Sequence, residues 1–381
     1  MLFKDIPGNP GIKERLINTV NTGRVSHALL FIGPEGNAKL AYALAYAQYL
    51  SCTDRQEDDS CGQCPSCKKF EKVVHPDLHF VFPVVSAKNL SKPVSDDYLK
   101  SWRTFLNEEV FHSFNKWLSA MGTENKQAGI FAQESSSIIR KLNFKTFESD
   151  YKSMIIWLPE KMNITAANKV LKMIEEPPPN TLFILVSEAP EAIINTILSR
   201  TQPIKIPRSE PEALQAYFKK KYQLPPEKID EAVYLSENNG AAAAQMLAAD
   251  SESDNLLLNN FSKMMRLCYT ADVKQLIEWA DEMSVFGREQ QKYFLNYALR
   301  MIRENFVLNL APNEKNKIVF LTEKENAFSQ NFSNFIHQKN IKAIAEEFNN
   351  AALHIERNGF DKLIFLDLSL KTAKLLKVKP Q

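Results

Sequence analysis

The sequence predicts an α/β domain built on a parallel sheet, followed by an all-α region, and three observations carry that prediction. Continuous apolar runs at 28–32, 154–158 and 182–186 have the length of strands buried on both faces, the kind a central parallel sheet needs. Stretches with apolar residues at helical spacing alternate with these runs, which is the order of βαβ units. After Pro207 no further strand is convincing, and the remaining chain reads as helix throughout.

The elements follow in order. Residues 10–22 form a short amphipathic helix with Ile12, Leu16, Thr19 and Val20 on one face. The run Ala28-Leu29-Leu30-Phe31-Ile32 enters a turn, Gly33-Pro34-Glu35-Gly36, and the Ala-rich stretch 38–51 continues as a helix. Strand, glycine turn and helix N-terminus are the layout of a phosphate-binding loop, whose working form reads G-x-x-x-x-G-K-[ST]. Aligned on Gly33 and Lys39, this chain has Ala38 in place of the glycine that lets backbone approach phosphate. It has Leu40 in place of the hydroxyl that holds magnesium. The candidate nucleotide residues Gly33, Gly36 and Lys39 therefore form a degenerate loop, and Lys39 reads better as a solvated lysine in the first helical turn than as a phosphate ligand.

Cys52, Cys61, Cys64 and Cys67 follow with the spacing C-x8-C-x2-C-x2-C. In a reducing cytosol four clustered cysteines favour metal over disulfides, and four thiolates close a tetrahedral structural zinc site. His75 reads as a structural residue, because four sulfurs already satisfy zinc, and Cys268 reads as a core residue in an apolar helix. His75-Pro76-Asp77 leads into a strand at 78–85. Residues 86 to about 131 break the rhythm with Trp102, Phe105, Phe111, Phe114 and Trp117, read as a helical insertion packed on the domain surface.

A helix at 134–142 precedes the apolar run 154–158. In an active phosphate-loop ATPase that strand ends in a magnesium-binding acid; here Leu158 and Pro159 stand there and Glu160 follows. Helix 165–176, capped by Thr165, stops before Pro177-Pro178-Pro179. Strand 182–186, helix 189–198, the triplet Ser199-Arg200-Thr201 and a short strand at 203–207 complete the α/β part. Beyond it lie three short helices at 211–222, 227–237 and 240–249. A bundle of longer helices starts at 251 and includes 289–310, 339–357 and 360–377, the last pair turning at Asn358-Gly359. Residues 289–310 place Tyr293, Phe294, Tyr297, Met301 and Phe306 along one stripe. The predicted domains are thus 1–207, 208–250 and 251–381.

At 381 residues and a formal net charge of +2 the chain has room for a large core and no field that would hold it on nucleic acid as a whole. With no apolar run near 18 residues, no membrane association is expected, and the chain reads as cytoplasmic. Lys219-Lys220-Lys221 reads as a charged helix face rather than a DNA contact.

The combination resembles the delta-prime family of bacterial DNA polymerase III clamp-loader subunits, in the AAA+ group. The residues that carry it are His27 to Phe31, the degenerate loop 33–40, the four-cysteine spacing and His75-Pro76-Asp77. Ala166-Ala167-Asn168, Leu171-Lys172, Glu175-Glu176-Pro177-Pro178, Ser199-Arg200 and, more weakly, Leu235-Ser236 to Gly240-Ala241-Ala242 extend it. The resemblance implies a RecA-like AAA+ sheet with a zinc module at 52–67, a small helical lid domain and a C-terminal helical collar. It implies a subunit without ATP or magnesium of its own, in a hetero-pentameric ring with ATPase subunits and a delta subunit, acting on a sliding clamp and primed DNA. It also implies that Arg200, with Ser199 before it, serves the neighbour's ATP site as an arginine finger, Thr201 replacing the family's usual cysteine. By residue type alone Arg200 is an ordinary cation at a helix end. Two other functions compete: an ATPase that tolerates Ala38 and Leu40, and a zinc-dependent nucleic-acid binder using 52–67 with Lys68, Lys69 and Lys72 beside it.

Overall fold

The computed structural model describes residues 1–86, 92–122, 128–248, 251–310, 319–357 and 359–379, with backbone alone at 251–255 and 289. The chain divides into two compact units, Met1–Leu247 and Ala248–Gln381. The helices after Pro207 up to residue 247 thus group with the sheet, and residues 249–250, the expected boundary, lie outside the described residues.

In the first unit five strands are described: β1 (Ala28–Ile32), β2 (Leu78–Val81), β3 (Lys152–Trp157), β4 (Thr181–Ser187) and β5 (Gln202–Lys205). The helices of this unit are α1 (Pro10–Asn21), α2 (Lys39–Ser51), α3 (Pro65–Glu71), α4 (Leu99–Glu108), α5 (Phe114–Ala120), α6 (Ala132–Asn143), α7 (Ile164–Glu175), α8 (Asn195–Leu198), α9 (Pro211–Lys221), α10 (Pro226–Leu235) and α11 (Gly240–Ala248). The strands are all parallel and lie in the order β2-β3-β4-β1-β5, so β1 sits between β4 and β5 with Leu30 opposite Leu185 and Pro203. That sandwiched position explains why β1 is apolar at every residue. Alternate side chains serve opposite faces: Leu29, Phe31, Ile155, Trp157, Ile184 and Val186 join one core with α2. Leu30, Met154, Ile156, Phe183 and Leu185 join the other with Ile138 and Leu142 of α6 and Val170 and Ile174 of α7.

Every residue of α2 is buried. Alanine lets its backbone lie close to the sheet, and its three tyrosines find partners for their hydroxyls. Tyr42 donates to the Gly8 carbonyl at 3.1 Å, Tyr46 pairs with Thr19 at 2.8 Å and Tyr49 donates to Asn21 at 2.8 Å.

The aromatic segment packs into the domain through its tryptophans. Trp102 stacks on Phe82 with ring centroids 4.0 Å apart, and the Trp117 indole donates to the Pro83 carbonyl at 2.8 Å. Both tryptophans are fully buried, and residues 87–91 and 123–127 of the segment lie outside the described residues. Polar residues interleaved with the aromatics hide a core-facing stripe in composition but not at helical spacing. After α4, the buried Glu109 carboxylate pairs with Lys221 at 2.8 Å and accepts from the hydroxyls of Tyr217 and Tyr222, joining the segment to α9. The Phe111 ring lies so close to Gly240 that a Cβ there would come within 2.3 Å of it.

Two further local differences have plain causes. Helix α7 is capped by Asn163, whose side chain accepts from the Ala166 amide at 2.8 Å, rather than by Thr165. The expected helix at 189–198 is a single turn at Pro190–Ala192 and then α8, because Ile193 and Ile194 take extended backbone that carries Ile193 and Ile197 into the core.

The second unit is helical among its described residues: α12 (Ser251–Thr270), α13 (Val273–Val285), α14 (Arg288–Leu310), α15 (Glu323–Phe332), α16 (Ile341–Glu356) and α17 (Asp361–Leu375). Asn358 of the expected turn lies outside the description. Trp279 forms the centre, 6.0 Å from the Phe294 ring and 5.7 Å from that of Phe365. Phe294 and Met301 of the expected stripe are buried, whereas Tyr293 is 38 % exposed. Cys268 is buried and donates to the Ser369 carbonyl at 3.3 Å.

Candidate functional site

In open parallel sheets ligands bind beyond the carboxyl ends of the strands, so the ends of β1, β3 and β4 are where a nucleotide site belongs. There the structure corrects the expectation of a solvated Lys39. Its side chain is 2 % exposed, its ammonium pairs with Glu188 at 2.9 Å, and it donates to the Pro34 carbonyl at 2.9 Å. Glu188 follows β4, and its backbone amide donates to the Glu160 carboxylate at 2.8 Å, as does that of Ala189 at 3.2 Å. Burial raises the Glu160 pKa, with the hydrogen bond from the Glu188 amide working against it. The acid that follows β3, the acid that follows β4 and the loop lysine thus form one connected chain.

The loop glycines also face protein atoms. A Cβ on Gly33 would lie 2.3 Å from the Ile206 carbonyl oxygen, which Asn37 Nδ2 approaches to 2.6 Å. Asn37 Oδ1 accepts from the Lys39 amide at 3.1 Å. Gly36 has φ +73°, and a Cβ there would fall 1.8 Å from Asn239 Oδ1. Asn239 precedes α11 and accepts from the Ala242 amide at 3.0 Å, and Ala241, two residues on, donates to the Gly36 carbonyl at 3.0 Å. Glu188, Asn37 and Asn239 are the residues that sequence reasoning misses. Glu188 could have been found from the parallel order alone, which brings the residue after an apolar strand beside the loop after its neighbour.

The four cysteines converge. Cys52 ends α2, Cys64 caps α3, and all four sulfurs lie within 4.8 Å of one another. The Cys52–Cys61, Cys52–Cys64 and Cys61–Cys67 sulfur separations are 3.6, 3.9 and 3.9 Å. A tetrahedron with zinc–sulfur bonds of about 2.3 Å has edges of about 3.8 Å, so the donor set fits a closed four-sulfur metal site. The amides of Cys61, Cys64 and Cys67 donate to sulfur at 3.3–3.4 Å, which stabilises thiolate. Burial acts to raise the Cys64 thiol, but hydrogen bonds from Thr53 and the Cys67 amide outweigh it and bring it to about 6. Burial pushes Cys52 and Cys67 up. His75 is not in the cluster; its ring packs 4.6 Å from that of Phe70 and accepts from the Asp77 amide at 3.2 Å.

Ser199 and Arg200 lie elsewhere, just after α8, and both are exposed. Arg200 Nε pairs with Glu175 at the end of α7 at 2.8 Å, while Nη1 donates to the Thr196 carbonyl at 3.1 Å and to Ser199 Oγ at 3.3 Å. Of the lysine run, Lys219 pairs with Asp230 at 3.2 Å and Lys221 with Glu109, so these two serve their own chain. No described helix is long and apolar enough to cross a membrane.

Residues 8–210 match the family described as DNA polymerase III, delta subunit. The chain is similar to the delta' subunit of DNA polymerase III from Bacillus subtilis, 28 % identical over 54 % of this chain and 50 % of that protein. It is 28 % identical to the delta' subunit from Yersinia pestis over 49 % of this chain and 43 % of the relative. The tau subunit of Bacillus subtilis is 26 % identical over 56 % of this chain and 30 % of its own length. The chain thus spans about half the length, or less, of these curated relatives.

Proposed function

The chain belongs to the DNA polymerase III delta subunit family, and on that premise we propose that it works as a delta-prime clamp-loader subunit that hydrolyses no ATP itself. In this reading it sits in a cytoplasmic hetero-pentameric ring with ATPase subunits and a delta subunit, and helps place a sliding clamp on primed DNA. Residues 1–207 supply the AAA+ sheet, 208–250 the lid and 251–381 the collar that holds the ring. Zinc at Cys52, Cys61, Cys64 and Cys67 is structural, since four protein sulfurs leave no position for a reacting water.

One contrast carries the reading. The lysine that would bind phosphate is buried against Glu188 of its own chain, while Arg200 stands exposed at the end of a short helix. A guanidinium at the surface can reach a phosphate held by another subunit, where its fixed charge stabilises the phosphoryl-transfer transition state. Ser199 contributes by receiving one of its hydrogen bonds.

The test is reconstitution with candidate ATPase subunits, comparing turnover with and without this chain. Arg200→Ala should fold and assemble but lower ATP turnover of the assembly, and unchanged turnover rejects the finger. Robust hydrolysis by the purified chain alone, abolished by Lys39→Ala, would instead make it an ATPase.

A further inference from the structure

The surroundings of Arg200 point to a residue with a task of its own. A guanidinium has three nitrogens in one plane, and fixing two of them fixes where the third points. Here Nε forms an ion pair with Glu175 at 2.8 Å, and Nη1 donates to the Thr196 carbonyl and Ser199 Oγ at 3.1 and 3.3 Å. Among the described residues Nη2 has no partner, so its two N–H groups remain for a ligand. The two helices that carry this arrangement share a core: Val170 and Ile174 of α7 pack in one cluster with Ile197 of α8. The carboxylate therefore comes from an element whose position is set by buried apolar contacts.

We propose that Glu175 is a positioning residue for the reaction: it orients the Arg200 guanidinium so that Nη2 meets the phosphate bound by the adjacent subunit. This rests on the finger reading of Arg200 given above. The Glu175 and Arg200 side chains are 36 % and 42 % exposed, and ion pairs at such exposure add little to stability. What the pair supplies is pre-organisation, which matters because a reacting group displaced by about 1 Å can cost on the order of a hundredfold in rate.

The experiment uses the reconstituted complex with Glu175→Ala and Glu175→Gln, each with Arg200 intact and with Arg200→Ala. Glu175→Ala should lower kcat for ATP on the order of tenfold at the site that receives Arg200 and leave KM unchanged, since the finger engages only the transition state. Glu175→Gln keeps a polar oxygen beside Nε without the charge and should retain more of the rate than Glu175→Ala. With Arg200→Ala in place, neither substitution should change turnover further. Wild-type turnover by Glu175→Ala, or the same proportional loss with and without Arg200, overturns the proposal while leaving the finger standing. If Arg200→Ala itself has no effect, the finger falls and the positioning role falls with it. Thermal melting separates these outcomes from misfolding: both Glu175 variants should melt with the unsubstituted chain.

Discussion

Lys39→Met tests the nucleotide end of the sheet most directly. The substitution removes an ammonium whose side chain is 2 % exposed and leaves the Glu188 carboxylate, 17 % exposed, and the Pro34 carbonyl without their partner. Breaking one side of a buried ion pair costs about 3–5 kcal/mol. Partial access of water to Glu188 lowers that figure here to about 2–4 kcal/mol. For a unit of this size each kcal/mol moves the melting temperature by about 2–4 °C, so a fall of roughly 4–16 °C is expected. Three of the four tryptophans, Trp102, Trp117 and Trp157, belong to the first unit, and their fluorescence during urea unfolding reports mainly on it. Glu188→Gln and the double variant complete a cycle, with the double variant more stable than the sum of the singles by about 1–3 kcal/mol. If Lys39→Met shifts stability by less than about 0.5 kcal/mol, the lysine behaves as a surface residue and the reasoning fails.

Two other perturbations address the frame around the site. Asp77 is buried and accepts from the amides of Phe147, Glu148 and Ser149 at 2.6, 2.8 and 2.9 Å. Burial acts to raise its pKa, but those amides outweigh it and hold the folded carboxyl below the ordinary aspartate range. A depressed carboxylate stabilises the fold above its unfolded pKa of about 4, and that contribution is lost as pH falls through the folded value. Asp77→Ala should therefore cost about 2–4 kcal/mol at pH 7 and flatten the acid limb of the stability curve, read from urea midpoints at neutral pH and below pH 4. An unaltered acid limb would refute this. Metal analysis should find one zinc per chain, lost in Cys64→Ser, and a chelator should expose the amides of 52–74 to hydrogen exchange, since such sites contribute on the order of 10 kcal/mol to local folding. Metal-free chain with unchanged protection would count against a structural ion.

Much of the fold was legible because parallel strands buried on both faces leave unbroken apolar runs: Ala28–Ile32 begins and ends where the pattern says. The four cysteines were legible because metal geometry restricts their spacing, and the structure brings them together. The helical character of the segment carrying Trp102 and Trp117 is legible from spacing, but the depth of their burial depends on the partners Phe82 and Trp157, which the segment itself does not show. Lys39 reads as solvated in the sequence for a related reason. Nothing local shows that an acid nearly 150 positions later in the chain, Glu188, will lie beside it. That proximity comes from strand order, which pairs β1 with β4 and is fixed by the whole sheet.

The stitching of Gly36 to Asn239 and Ala241, and of Gly240 to Phe111, carries a consequence for energy supply. Where a motor protein closes its two parts over a nucleotide, the joint opens and shuts with the fuel. On the proposed reading this joint is mortised from the chain's own backbone and side chains at folding. A cell short of ATP would then find this piece of the machine in the same shape as a cell that is well fed.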